Sequence, residues 1–156
     1  MSHNYIAKND YKFVNFTIND KDIIKRIKEY AKRNCREIIT TSYITTTLKN
    51  FDYGFSYFRT DILIKDNLEK NRPCAFACIK NIDTFTIYIM LICSIKNNDN
   101  LGTKILENIF TYAKNNSYTV VRLECEKSLI KFYKKHDFIE LEKLEDDMIV
   151  MSKTIN

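Results

Sequence analysis

Only two glycines and one proline occur among the 156 residues, which leaves no Gly/Pro-rich linker and no G-x-G-x-x-G phosphate-binding pattern. A run long enough to cross a bilayer is also missing. The most apolar stretch, from Ile82 to Ile95, is broken by Asp83, Thr84 and Thr86. The first ten residues, "MSHNYIAKND", lack a basic segment followed by an apolar one, so export is not expected and a cytoplasmic location is. The five cysteines (Cys35, Cys74, Cys78, Cys93 and Cys125) are an odd set scattered through apolar stretches, which predicts reduced thiols rather than a disulfide framework. Cys74 and Cys78 have no second Cys/His pair to complete a zinc site, so no metal is expected. No internal repeat is visible.

What is present describes a packed domain. Hydrophobic residues make up 45% and charged residues 29% of an 18.6 kDa chain, enough for one core spanning residues 1–156. The net charge of +5 permits an anionic ligand. The lysines are spread along helical faces, however, as on a solvated surface, so neither a nucleic-acid nor a membrane partner is expected.

Periodicity sets the order of elements. "YKFVNFTI" alternates as a first strand. "NDKDIIKRIKEYAKRN" gathers Ile23, Ile24, Ile27, Tyr30 and Ala31 on one helical face behind an Asn19 or Asp20 cap. "TTSYITTTLKNF" has threonines that suit a strand, but Ile44, Leu48 and Phe51 keep helical spacing, which predicts a short second helix. "FSYFRTDILIKD" and "PCAFACIKNI" read as strands joined by the polar turn "NLEKN". "TFTIYIMLICS" is the expected sheet centre, with Phe85, Ile87, Ile89, Leu91 and Cys93 on one face and Tyr88, Met90 and Ile92 on the other. A helix with Ile105, Leu106, Ile109, Phe110 and Ala113 follows and ends at Asn115-Asn116. Then come the strand "YTVVRLEC", a short helix "SLIKFYKKH" with Ser128 as cap, and a closing hairpin of "DFIELEKL" and "MIVMSKTI" around "EDD". Strand, helix, strand in the middle implies a parallel pair with a right-handed crossover, flanked by antiparallel hairpins. The class is α/β (α+β), a mixed sheet.

One of the two glycines stands in "LICSIKNNDNLGTKILENIF", between the central strand and the helix that follows it. A helix start offers unpaired N–H groups and the positive end of the macrodipole, and a loop without bulk lets them approach a phosphate. Gly102 sits where a side chain would obstruct that approach, and Asn97, Asn98 and Asn100 tolerate left-handed backbone. A plain turn is the other reading of such a glycine.

The loop "NNDNLG", the later "FYKKHDF" and the terminal "MIVMSKTI", in this order of elements, resemble the GNAT superfamily of acyl-CoA-dependent N-acetyltransferases. The resemblance covers residues 84–156; the N-terminal half matches only in the order of its elements. In the family, the loop reads Gln/Arg-x-x-Gly-x-Gly/Ala and binds the coenzyme A pyrophosphate. Here Asn97 stands at the Gln/Arg position, Asn100 at the first glycine and Gly102 at the second. Tyr133 falls on the family tyrosine and Phe138 on its phenylalanine, while Asp137 replaces the intervening glycine. The resemblance implies a mostly antiparallel, twisted sheet of about seven strands with about four helices and a central parallel strand-helix-strand unit. It also implies acetyl-CoA as cosubstrate. Backbone at Leu91, Ile92 and Ser94 would hold pantetheine, an N–H near Ile92 would polarise the thioester, and amides from Asn97 through Asn98, Asp99, Asn100, Leu101 and Gly102 to Thr103 would hold phosphate. Ser128 and Tyr133 are placed at the same cofactor site.

The chemistry the resemblance implies is transfer of an acetyl group to a primary amine by direct attack, with an unidentified small-molecule or protein acceptor and a monomeric or homodimeric enzyme. Tyr133 is the candidate general acid, since a phenol with a pKa of about 10 is protonated at neutral pH and can protonate the leaving thiolate. Core filling is its other reading, because Leu129, Phe132 and Tyr133 share a helical face. Glu124, with Glu126 beside it, is the candidate base, and Tyr88 is a candidate lining of the acceptor pocket. His136 is expected to be exposed and His3 frayed. A catalytically weak coenzyme A-binding module is the alternative function, favoured by Asn97 and Asn100; a basic nucleic-acid-binding protein ranks behind both.

Overall fold

The computed structural model describes residues 11–35, 40–59, 72–94 and 100–156. Among them, seven strands form one sheet in the order β1-β2-β3-β4-β5-β7-β6. These are β1 (Tyr11–Phe16), β2 (Tyr53–Arg59), β3 (Arg72–Asn81), β4 (Thr86–Ser94), β5 (Val120–Glu126), β6 (Ile139–Lys143) and β7 (Met148–Thr154). Only β4 and β5 run parallel; the other neighbours are antiparallel. The helices are α1 (Lys21–Asn34), α2 (Thr41–Thr47), α3 (Leu101–Asn115) and α4 (Ile130–Lys134). The expected "NLEKN" turn between β2 and β3 lies outside the described residues.

The sheet is sandwiched between helices. On one face α1 buries Ile27, Tyr30 and Ala31 against β3 and β4, with Ile44, Leu48 and Phe51 of the α2 region completing the cluster. Tyr30 fixes this layer: its hydroxyl donates to the Cys74 carbonyl at 2.8 Å, and its ring meets Phe76 edge-on. On the other face α3 buries Leu101, Ile105, Leu106, Ile109 and Ala113. Each such side chain contributes on the order of 1.5–3 kcal/mol for the larger residues. Both faces of β3 and β4 are therefore covered, and that is why these strands read as continuous apolar runs.

Of three local expectations, two change and the α2 helix holds. Asp20 occupies the N-cap of α1, but its carboxylate accepts from the Thr17 N–H at 2.7 Å and makes no side-chain cap bond to the helix. In α2 the helix wins over the strand preference of threonine because Thr40 accepts from the Tyr43 N–H at 3.2 Å, while Ile44 and Thr47 are buried. Phe85 is not part of the sheet core; it precedes β4 and is 61% exposed.

The larger correction lies inside β4. Cys78 of β3 pairs with Leu91, but the next residue, Ile79, pairs with Ile89, so Met90 is an extra residue in the ladder. Such a bulge reverses the alternation. Ile87 and Ile89 face α3, whereas Leu91 and Cys93 turn toward α1 and α2. Phe85 to Cys93 thus do not share one face. The reversal brings Cys93 beneath the end of α1, where it forms a disulfide with Cys35 at a Cα–Cα distance of 6.2 Å. The expectation of five reduced thiols is thereby overturned. Cys74, Cys78 and Cys125 remain as buried thiols.

Candidate active site

A cleft opens where β4 and β5 stop pairing. Their parallel ladder runs only from Thr86↔Val120 to Ile89↔Leu123. Beyond it, Leu91 to Ser94 stay paired to β3, and Glu124 to Glu126 stay paired to β7. The facing edges of the two strands separate, with the bulge at Met90 marking the start. Among the described residues their facing backbone groups between the strands have no ladder partner, and an extended ligand bearing amides fits such an edge. The Leu91 side chain is buried in the α1/α2 cluster, so only its backbone can serve a ligand here. Ile92 packs toward α3 instead.

The N-terminus of α3 stands at the end of that cleft. Asn100, its N-cap, takes φ 52° and ψ 42°, the left-handed conformation for which glycine is the usual residue, and makes no side-chain cap bond. The first helical bond runs from the Lys104 N–H to the Asn100 carbonyl, so the N–H groups of Leu101, Gly102 and Thr103 have no helical acceptor. No acidic side chain lies in this first turn. Gly102 itself does not have a positive φ. A Cβ there would come within 3.2 Å of Ser94 Oγ and 3.5 Å of Phe132 Cζ. Its role is close approach: it lets the helix start lie against the end of β4. Asn97, Asn98 and Asp99 fall outside the described residues.

Tyr133 comes to the same region through α4. The Phe138 N–H bonds to the Tyr133 carbonyl at 3.2 Å and the Asp137 N–H to the Lys134 carbonyl at 3.1 Å, a Schellman closure with Asp137 at φ 66°. The accompanying apolar contact is Tyr133 against Phe138, with ring centroids 5.6 Å apart. The pattern tyrosine, short spacer, glycine, phenylalanine is therefore the sequence of a helix stop, and Asp137 fills the glycine position in the left-handed conformation. The Tyr133 side chain is buried, and burial, with a smaller contribution from Cys125, pushes its phenol above the usual value. Its hydroxyl has no hydrogen-bond partner among the described residues. None of their fully buried side-chain oxygens lacks one. The hydroxyl therefore reaches an opening.

Glu124 lies on the opposite side of the sheet, exposed on β5 one residue beyond the last parallel pair. Tyr88 of β4 is half-buried; burial first, then the nearby Glu124 carboxylate, raise its phenol pKa. Tyr43 of α2 donates to the Met90 carbonyl at 2.7 Å. Ser128 is exposed in a 3-10 turn before α4 and makes no cap bond, contrary to expectation. His136 is half-buried, not exposed, with Nε2 3.3 Å from Thr103 Oγ1.

Neither a protein-family model nor a curated protein sequence matches the chain. Solved structures do. The ribosomal-protein-S18-alanine N-acetyltransferase from Escherichia coli superposes with a TM-score of 0.69 at 13% identity, covering 94% of this chain and 95% of that one. The chain has the GNAT fold. Ard1 from Thermoplasma volcanium aligns with a TM-score of 0.66 at 15% identity over 94% of this chain and 98% of its own. An acyl-CoA N-acyltransferase from Pseudomonas aeruginosa aligns with a TM-score of 0.66 at 13% identity, covering 92% and 99%. The GNAT fold accounts for the open β4–β5 edge and for the α3 start at its end. Sequence reasoning missed the bulge, the Tyr43 anchor and the Thr103–His136 contact. The helical spacing of α2 was the only signal for the second; nothing local announced the others.

Proposed function

We propose that the chain is an N-acetyltransferase that moves the acetyl group of acetyl-CoA to a primary amine by direct attack, as one domain over residues 1–156. The observation that carries this reading is the coincidence of the open β4–β5 edge with the unpaired N–H groups of the α3 start. Coenzyme A has an amide-bearing arm and a diphosphate at matching ends. Backbone at Leu91, Ile92 and Ser94 would pair with the arm, and an N–H near Ile92 would stabilise the developing oxyanion. Asn100, Leu101, Gly102 and Thr103 would hold the diphosphate, with Asn97, Asn98 and Asp99 completing the loop.

In this scheme Glu124 takes a proton from the incoming ammonium. The neutral nitrogen attacks the thioester carbonyl, the C–N bond forms and the C–S bond breaks. Tyr133 protonates the departing thiolate, and the second nitrogen proton restores the phenol through solvent. The products are an amide, coenzyme A as its thiol, and one proton on Glu124, released to water. The scheme invokes no metal, and no group of His, Cys, Asp or Glu among the described residues is arranged to hold one.

The test is a melting curve with acetyl-CoA. At about a hundred times its dissociation constant the ligand should add roughly 2.7 kcal/mol. Gly102→Val should lose most of that shift with the overall fold retained, because its side chain meets Ser94 and Phe132 and pushes the start of α3 away from the end of β4. An unshifted wild type at millimolar acetyl-CoA refutes the assignment. Binding without transfer to any amine in a broad panel supports the coenzyme A-binding module instead.

A further inference from the structure

On the α1/α2 face, Tyr88 stands opposite Arg122 in the parallel register, and Glu124 is two residues further along β5 on the same face. A diagonal pair of this kind is within reach of an aromatic side chain, and Glu124 lies close enough to Tyr88 to raise its phenol pKa after burial has done so. The ladder ends between them, so Tyr88 is rooted in the paired, rigid part of β4 while Glu124 projects from the edge of the opening. Tyr43, tied to the Met90 carbonyl, closes the group from the α2 side. Arg122 and Glu124 are exposed, and an acceptor can reach the carboxylate from this face. Across β7 the residue in register with Glu124 is Val150, which carries no polar group.

We propose that Tyr88 is a positioning residue for the acceptor amine: its hydroxyl holds one Glu124 oxygen at the mouth of the β4–β5 cleft, leaving the other to receive the ammonium proton. The inference rests on the acetyltransferase reading. An exposed glutamate at a strand end samples several rotamers, and a fixed donor selects one. Tyr88 donates a hydrogen bond and touches neither acetyl-CoA nor the reacting carbon. Its effect therefore appears in turnover and not in cosubstrate binding.

The experiment compares wild type, Tyr88→Phe, Glu124→Gln and the double variant, using an amine found in the acceptor panel. Acetyl-CoA melting shifts are recorded for each. Glu124→Gln should lower kcat by about a hundredfold or more. Tyr88→Phe should lower it by about ten- to a hundredfold, with KM for acetyl-CoA and the melting shift unchanged. The double variant should be no slower than Glu124→Gln, because the tyrosine acts only through the carboxylate. Multiplying losses in the double variant, or wild-type turnover in Tyr88→Phe, overturn the proposal while leaving the acetyl-CoA site standing. A raised KM for acetyl-CoA in Tyr88→Phe overturns it too. Absence of any acetyl-CoA shift in wild type is a different failure, visible before a variant is made, and removes both readings together.

Discussion

In the proposed reaction Tyr133 answers two demands, packing and proton donation. Its ring packs against Phe132 and Phe138, which is the reason a helix this short keeps an aromatic there. Its hydroxyl is spare. A phenol pushed up by burial stays protonated throughout the neutral range, as the proposed proton donor must. Tyr133→Phe retains the ring and removes the proton. Turnover should fall by about a hundredfold or more, while the acetyl-CoA melting shift stays at the wild-type value; steady-state coenzyme A release and melting curves measure the two. Equal turnover would leave Tyr133 as packing alone. The face shared by Leu129, Phe132 and Tyr133 was legible in the sequence, but a free hydroxyl at an opening is a property of the packed state.

At the scale of elements, the ends of helices carry the information. α4 stops through Asp137 in the left-handed conformation, and α3 starts from Asn100 in the same conformation. Both stand at positions where the resemblance places glycine. Asp and Asn hold this geometry here because they tolerate the left-handed region better than other residues with a Cβ. Asp137→Gly should relieve the remaining strain at some cost in unfolded-chain entropy, for a net gain of about 0.5 kcal/mol. The Lys153 contact it gives up, at 3.7 Å with the aspartate 88% exposed, contributes little. Asp137→Val should instead lose about 1–2 kcal/mol, because a branched side chain resists a positive φ. Urea midpoints for the two variants decide it: a shift of the same sign in both would show that backbone strain is not what Asp137 governs.

Across the whole molecule, the disulfide joins the cap of α1 to the strand that borders the cleft, across a sequence separation of 58. It ties one helical layer to β4 just past the bulge. Cysteine usage therefore no longer argues for a reducing compartment, as five scattered cysteines had suggested. Protein unfolded without reductant should titrate three thiols, those of Cys74, Cys78 and Cys125, and not five. Reduction should lower the unfolding free energy by about 2–4 kcal/mol. A count of five in freshly purified, non-reduced protein would contradict the bond. Burial pushes the Cys125 thiol up to about 11, and Cys78 is also raised by burial, so neither is expected to react in the native state.

The sequence by itself determined the order of elements, the helical faces of α1 and α3, and the strand-loop-helix passage at Gly102. Each depends on spacing along the chain, and hydrophobic periodicity and turn chemistry report that directly. The tertiary structure decided the rest. The extra residue at Met90 becomes visible only when β3 is laid beside β4, because a bulge is a mismatch between two strands rather than a feature of one. From that mismatch follow the turn of Cys93 toward Cys35 and the Met90 carbonyl taken by Tyr43. Tyr88 meets Glu124 only because β5 pairs with β4 in one particular register, a contact between residues 36 positions apart in the sequence. Side chains so separated are joined by packing, and packing has no period along the chain.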